Sequence, residues 1–189
     1  MAGTSSTVLS QAPIQSAAVE DAEGLFARAL AEYGPAISRI VRANEARVHL
    51  RADLQQEIYL ELWRSLAIFD GRCSLGTWVY RIALNIAARH VSRQHRLAIR
   101  ELQTLEEIIE PADPHDATSE LDDAKRLDLL NELISKLKPI DRQIVLLYLD
   151  GLDMAQISEV TGLSASHVAV KIHRAKQLLV QLYRGLSHE

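Results

Sequence analysis

Apolar residues recur along most of the chain at spacings of three and four, the pattern typical of amphipathic helices. Strand-like alternation is absent and runs of Val, Ile and Thr are short, so the pattern predicts an all-α fold. Between residues 20 and 43 the apolar positions form two groups on either side of Pro35. This predicts that Pro35 opens a second helix, because a proline at the first helical position sacrifices no hydrogen bond.

A helix over about 51–68 follows, with Leu54, Ile58 and Leu62 on one face. The sequence FDGRC at 69–73 has the composition of a turn. Ser74 is a residue type that caps helices, and it predicts the start of a long helix that ends near residue 96.

Helical periodicity resumes near residue 121, and Pro139 predicts the start of a further helix that ends at Gly151. Asp153 and Gln156 have the spacing of a capping box, which predicts a short helix that Gly162 ends. Another cap, at Ser164, predicts a last helix to about residue 184.

The composition changes between these two halves. The stretch EEIIEPADPHDATSELDD at 106–123 has two prolines, many acids and little periodicity, which favours a solvated linker. We therefore predict two small helical domains, over 20–98 and 124–186, joined by a flexible acidic linker over 99–123. The first 19 residues are rich in Ser, Thr, Ala and Gln and predict a disordered tail.

Charge is distributed unevenly over the 189 residues, although the net charge is only −4. Residues 71–100 contain six arginines and no acid, whereas 101–132 contain eleven acids and two basic residues. Two basic blocks separated by an acidic one permit a nucleic-acid partner in spite of the negative sum. The single cysteine excludes an intramolecular disulfide and a cysteine-rich zinc site. The absence of a signal peptide or a long apolar run predicts a cytoplasmic protein that is not inserted in a membrane.

The segment DMAQISEVTGLSASHVAVKIHRAK at 153–176 has the form of a helix-turn-helix. In its second helix Ser166 and His167 lie in the first turn, where such helices contact base edges, and Lys171 and Arg174 follow on one flank. An ordinary basic, solvated face is the alternative. His167 and His173 fall on different faces of the helix, so we expect no zinc site.

The helix predicted from Ser74 carries a second basic stripe. Its members fall within about 80° of the helical circumference, with Trp78 at the edge: Arg81, Asn85, Arg89, Ser92 and Arg96. Arginine and asparagine suit phosphates and bases, and an exposed aromatic ring can stack on an unpaired base. A solvated face with Trp78 in the core is the alternative. The preceding helix has an acidic face, which would repel DNA and could dock a basic protein surface or simply be solvated.

Three stretches together resemble regions 2 and 4 of the extracytoplasmic-function (ECF) sigma factors. They are DLQQEIYLELW at 53–63, FDGRCSLGTWVYRIALNIAARHVSRQHR at 69–96 and the segment from Lys138 to Leu179. The resemblance covers most of the chain in the family's order. A helix-turn-helix alone would be weak evidence, whereas the first two stretches are specific to sigma factors.

The resemblance implies a role for each group of residues. Asp53, Gln56 and Glu57 would bind the β′ clamp helices of core RNA polymerase. The −10 promoter element would be recognised and opened by six residues: Arg72, Ser74, Trp78, Arg81, Asn85 and Arg89. The −35 element would be bound as duplex by five: Ser166, His167, Val170, Lys171 and Arg174. Region 4 would also meet the polymerase β flap. The family further implies an anti-sigma partner, no catalytic residue, no cofactor and no small-molecule substrate.

The sequence departs from the family at His167, where Thr is common, and at Ala169, where a basic residue is common. These departures affect the promoter sequence that is preferred. Two other functions remain open: a two-domain regulator that binds duplex DNA without polymerase, and a helical protein-interaction adaptor. The first would not need the acidic face at 53–57, and the second would not bind DNA through residues 124–186.

Overall fold

A computed structural model describes residues 21–104 and 123–186. These ranges form seven helices, and the described backbone contains no strand. The helices are α1 (Ala22–Asn44), α2 (Val48–Leu66), α3 (Leu75–Thr104), α4 (Asp123–Ser135), α5 (Pro139–Leu149), α6 (Met154–Thr161) and α7 (Ala165–Leu186). The all-α prediction is confirmed. The tail predicted over 1–19 and most of the predicted linker lie outside the described residues.

Helices α1, α2 and α3 pack against one another as an N-terminal bundle. Each helix contributes one apolar stripe to the core, as its spacing predicts. The fully buried large side chains of this bundle are Ile37, Ile40, Val41, Leu54, Ile58, Leu62, Leu66 and Val79.

Pro35 does not open a second helix, and that prediction is wrong. Helix α1 runs without interruption from Ala22 to Asn44, with Pro35 inside it. An internal proline removes a hydrogen bond and costs about 3 kcal/mol. The buried stripe continues on both sides of it, through Ala29 before and Ile37 after, so burial against α2 and α3 offsets this cost.

Helix α3 begins where the sequence predicts and ends later. The Ser74 hydroxyl accepts a hydrogen bond from the Thr77 backbone N–H at 3.0 Å, which confirms the predicted cap. The helix then continues to Thr104, eight residues past its predicted end near 96. The apolar residues of its last turns, Leu97 and Ile99, are exposed and do not continue the buried stripe. Because the prediction followed that stripe, it placed the end of the helix too early.

Helices α4 to α7 form a C-terminal bundle. The capping box is present, since Asp153 Oδ1 accepts from the Gln156 N–H at 2.8 Å and Gln156 Oε1 accepts from the Asp153 N–H at 2.9 Å. Gly162 ends α6 with a φ of 74°, a left-handed conformation that favours glycine. The short helix α6 is therefore capped at both ends, and Gly162 begins the turn of the helix-turn-helix.

Replacing Asp153 with alanine should lower the free energy of unfolding by about 1 kcal/mol, because one of the first N–H groups of α6 loses its acceptor. Thermal unfolding of the full chain measures the change. Asp53→Ala, the same substitution at an exposed position inside α2, is the matched control and should leave the stability within about 0.5 kcal/mol.

The two bundles are in contact. Helix α1 packs on α4 and α5, and α3 packs on α6, so one cluster of buried side chains extends through both bundles. The basic stripe of α3 and the helix-turn-helix therefore lie on the same compact body.

Candidate nucleic-acid interface

The acidic face of α2 is partly exposed. Asp53 and Gln56 point away from the buried stripe, and Glu57 is half-buried. The Glu57 carboxylate accepts a hydrogen bond from Arg93 of α3 at 3.0 Å. A basic partner that binds Glu57 would therefore compete with Arg93.

The loop before α3 is built around Asp70. Its carboxylate accepts from the backbone N–H of Arg72 at 3.2 Å and also from the Arg72 guanidinium, and these bonds lower the pKa of Asp70. Gly71 between them has a φ of 72°, which a side chain would strain. Asp70 thus fixes the turn and holds the exposed Arg72 at the entrance to α3.

Trp78 is half-buried and held at two points. Its indole N–H donates to the Ser65 hydroxyl at 3.0 Å, and its ring meets Phe69 edge-on with centroids 5.3 Å apart. Trp78 is thus neither fully buried in the core nor a fully exposed, mobile side chain. An indole fixed in this way offers a rigid wall without further rotamer ordering.

The stripe along α3 divides into two parts. Asn85 and Arg89 are exposed, and so are Ser92 and Arg96 one and two turns further on. Arg81 is half-buried, because its guanidinium donates to the backbone carbonyl of Glu159 in α6. The helical period located this stripe correctly and could not reveal the partner of Arg81, which lies 78 residues away in sequence.

Helix α7 begins at the predicted cap, where Ser164 Oγ accepts from the His167 N–H at 3.3 Å. Ser166, His167, Val170 and Arg174 are exposed. Lys171 is not, because its ammonium pairs with Asp141 of α5 at 2.7 Å and both side chains are about three-quarters buried. Four of the five predicted −35 residues therefore face solvent together, and the fifth is engaged inside its own bundle.

A further hydrogen-bonded pair lies on the outward side of α7, next to the predicted −35 residues. His173 and Gln177 are exposed and hydrogen-bonded to each other at 3.0 Å. At about 100° per residue, Gln177 falls between the positions of Ser166 and Val170, and His173 falls about 20° beyond Ser166. Both positions lie away from the buried stripe of Val168, Ile172 and Ala175, so the helical period was a sufficient signal for their exposure.

A buried polar network at the base of the N-terminal bundle was also missed. Glu45 follows α1, and its carboxylate accepts from His90 Nε2 of α3 at 2.7 Å, with both side chains about 4% exposed. Arg47 donates to Glu45 from its backbone N–H at 2.9 Å and from its guanidinium at 3.0 and 3.1 Å. Nδ1 of His90 lies 3.3 Å from Arg93, so the neutral tautomer with its proton on Nε2 satisfies both ring nitrogens.

This network determines the charge state of Glu45. Burial alone raises the pKa of the carboxyl, and the hydrogen bonds from Arg47 and His90 outweigh it, so the pKa falls to about 2. The carboxylate is therefore ionised at every physiological pH and ties α1, the start of α2 and α3 together.

The described residues present basic and polar faces on α3 and α7. Within 21–104 and 123–186 no three or more His, Cys, Asp or Glu side chains come together in a way that could hold a metal ion. None of the helices in those ranges is long and apolar enough to cross a membrane.

Comparisons with known proteins agree with the two-bundle arrangement. The family model described as Sigma-70 region 2 matches residues 29–97, and Sigma-70, region 4 matches residues 127–179. The ECF RNA polymerase sigma factor SigW of Bacillus subtilis (strain 168) is 26% identical, over 74% of this chain and 78% of its own. The ECF RNA polymerase sigma-E factor of Escherichia coli (strain K12) is 28% identical, over 67% and 70%.

Two solved structures share the fold. The sigma factor RpoE in complex with the anti-sigma factor NepR from Bartonella quintana superposes with a TM-score of 0.62 at 20% identity, covering 84% of this chain and 96% of that one. CnrH in complex with the cytosolic domain of CnrY gives a TM-score of 0.59 at 23% identity, covering 85% and 88%.

Proposed function

The chain belongs to the ECF sigma factors, which direct promoter-specific initiation by RNA polymerase and are not enzymes, and we propose how its two bundles divide that work. The observation that carries the proposal is the match to region 2 and region 4 in the family's order, each on its own helical bundle. We infer that residues 20–98 serve core and −10 binding, that 124–186 serve −35 binding, and that 99–123 link them.

Core polymerase binds at the acidic face of α2 in this proposal. Asp53, Gln56 and Glu57 present carboxylate and amide oxygens to the β′ clamp helices, and an acidic face is complementary to a basic surface. Arg93 is displaced from Glu57 as the clamp binds. The freed guanidinium then adds to the positive stripe formed by Arg89 and Arg96 on the same helix.

The −10 element binds along the loop and α3. Arg72, Arg81 and Arg89 supply phosphate contacts, while Ser74 and Asn85 supply hydrogen-bonding groups for exposed bases. Extruding a base costs a few kcal/mol, which such contacts must offset. The ring of Trp78, already fixed by Ser65 and Phe69, provides an aromatic surface for the opened strand.

The −35 element binds as duplex DNA at the first turns of α7. Ser166, His167 and Val170 meet base edges, and Arg174 meets a phosphate. Val170 can contact only apolar groups such as a thymine methyl. Lys171 joins the phosphate contacts once Asp141 releases it. The helices before α7 meet the β flap.

Replacing Arg174 with alanine should weaken −35 binding and reduce the slope of log affinity against log salt by about one, because one phosphate contact is lost. Lys171→Ala is the matched comparison, and its change in slope should be smaller, because Asp141 already neutralises that ammonium. Binding of the holoenzyme to its mapped promoter between about 50 and 200 mM salt measures both. An unchanged slope for Arg174→Ala would remove Arg174 from the phosphate contacts.

An anti-sigma protein is the regulatory partner in this proposal, acting in the cytoplasm. One structure that shares the fold is a complex with the anti-sigma factor NepR, and another is a complex with the cytosolic domain of CnrY. The partner would cover the surfaces of α3 and α7 that bind DNA.

Reconstituted transcription tests the proposal most directly. The full chain is added to core polymerase with a library of genomic fragments, and starts are mapped. Promoter-specific starts that depend on the added chain are expected. A regulator without polymerase would bind duplex DNA and produce none, and an adaptor would bind no DNA, so either result would replace the proposed function.

A further inference from the structure

A polar joint holds the two bundles together, and Asp150 is at its centre. This residue follows α5 of the C-terminal bundle, and its side chain is only 3% exposed. Its carboxylate accepts from Arg39 of α1 at 2.6 Å and from the hydroxyl of Tyr80 of α3 at 3.2 Å. A buried carboxylate is stable only when paired, and here both partners come from the other bundle.

Further hydrogen bonds surround this centre. Arg142 of α5 is buried, and its guanidinium donates to the side chain of Asn44 of α1 at 3.1 Å. Gln143 donates to the carbonyl of Leu84 of α3 at 3.4 Å. Together with the bond from Arg81 to Glu159, five contacts with partners from both bundles fix their relative position.

The joint places α6 against the proposed −10 site. A cavity of about 460 Å³ lies between the loop before α3 and α6, and its walls include Arg72, Trp78, Arg81 and Glu159. Glu159 contributes negative charge to this cavity, and its backbone carbonyl accepts a hydrogen bond from the guanidinium of Arg81. A DNA strand entering here would meet a carboxylate and lack one of its cationic contacts.

The two bundles are also too close together in the closed arrangement to bind both promoter elements at once. The −35 and −10 elements are about 25 base pairs apart, which is about 85 Å of duplex at 3.4 Å for each base pair. A compact chain of this length has a radius of gyration of about 16 Å, so the two bundles cannot reach both elements while they are packed together. The segment 105–122 can span about 60 Å when extended, so the bundles can separate without breaking either fold.

We propose that the closed arrangement is an autoinhibited state of the free chain, and that the pairing of Asp150 with Arg39 and Tyr80 is the latch that holds it. The proposal rests on the proposed function for its meaning, because the site that α6 obstructs is the proposed −10 site. Core polymerase opens the latch by binding the two bundles at separate places. Until it binds core polymerase, the free chain therefore does not bind the −10 element.

The distance between the bundles in the free chain tests the latch. Spin labels are attached at Ala27→Cys in α1 and Gln181→Cys in α7, both exposed, in a Cys73→Ser background, and pulsed electron paramagnetic resonance measures the distance distribution. The unmodified joint should give one narrow, short distance. Arg39→Glu should raise the ratio of open to closed chains at least about tenfold, because two carboxylates then face each other. Asp150→Asn, which keeps the shape and removes the charge, should open the chain in the same direction to a smaller extent.

Arg42→Glu is the matched control, since it makes the same charge change at an exposed position one turn further along α1 and should leave the distribution unchanged. A broad distribution in the unmodified chain, or no shift in either joint variant, would overturn the latch. Opening by Arg42→Glu to the same extent would trace the effect to net charge and overturn it equally. The measurement needs neither polymerase nor promoter, so its failure is distinct from a failure of transcription.

Discussion

Replacing Glu45 with glutamine should lower the free energy of unfolding by about 3 kcal/mol at neutral pH, and by only about half as much at pH 3. The carboxyl has a pKa of about 2 in the folded chain against a usual value of 4.5. A depressed pKa stabilises the fold at every pH above the usual value. That contribution is lost as the pH falls from about 4.5 to about 2, where the folded carboxyl also takes up a proton. Glutamine has no such dependence.

Denaturant unfolding of both chains at several pH values between 7 and 3 measures this prediction. Glu57→Gln is the matched control, because Glu57 receives a single bond from Arg93 and its side chain is 38% exposed. Its effect should stay below about 1 kcal/mol, as for other surface pairs. A difference between the Glu45 variant and the parent chain that stays constant down to pH 3 would contradict the ionised pairing with Arg47 and His90.

The local features of the fold could be predicted because their causes lie close together in sequence. The caps at Ser74 and Ser164 and the capping box of Asp153 each involve residues within one helical turn. The same reasoning failed at Pro35, where local cost favoured a break and packing against α2 and α3 kept the helix whole. Periodicity describes one helix at a time and cannot weigh tertiary burial against local cost.

The long-range polar contacts could not be predicted for the same reason. Glu45 and His90 are 45 residues apart, and Arg39 and Asp150 are 111 apart. Each is an ordinary charged or polar residue at the end or on the side of a helix, and nothing in its neighbours distinguishes it. A helical wheel places Arg81 and Lys171 outside the buried stripes of their own helices. Their partners Glu159 and Asp141 lie on other helices, so only the packing of the helices identifies them.

Arg81 consequently has two proposed roles with opposite effects on DNA binding. In the free chain it holds α6 over the −10 site, and in the polymerase complex it contacts the −10 element. Asn85, one turn further along α3, is exposed and takes no part in the joint. Comparing these two neighbours separates the latch from the DNA contact.

Alanine at either Arg81 or Asn85 should reduce the rate of promoter opening by the holoenzyme about tenfold or more, because a lost base or phosphate contact is worth about 1–3 kcal/mol. Affinity for core polymerase should change less than about twofold for Asn85→Ala, since the acidic face of α2 is intact. For Arg81→Ala it should not fall and should rise if the joint loosens, because a larger fraction of the free chain is then already open. Permanganate reactivity of unpaired thymines follows opening, and fluorescence anisotropy with labelled core follows binding. Arg42→Ala, an exposed arginine of α1, is the control and should alter neither.

The two variants should then differ in the free chain. Arg81→Ala removes one contact of the joint and should broaden the distance distribution between the bundles, whereas Asn85→Ala should leave it unchanged. A well-folded Asn85→Ala chain that loses core binding and promoter opening equally would contradict the −10 assignment of α3. An Arg81→Ala chain that opens promoters at the parental rate, with a broadened distribution, would leave Arg81 with the latch as its one role. The promoter contact of this helix would then begin at Asn85, which takes no part in the joint.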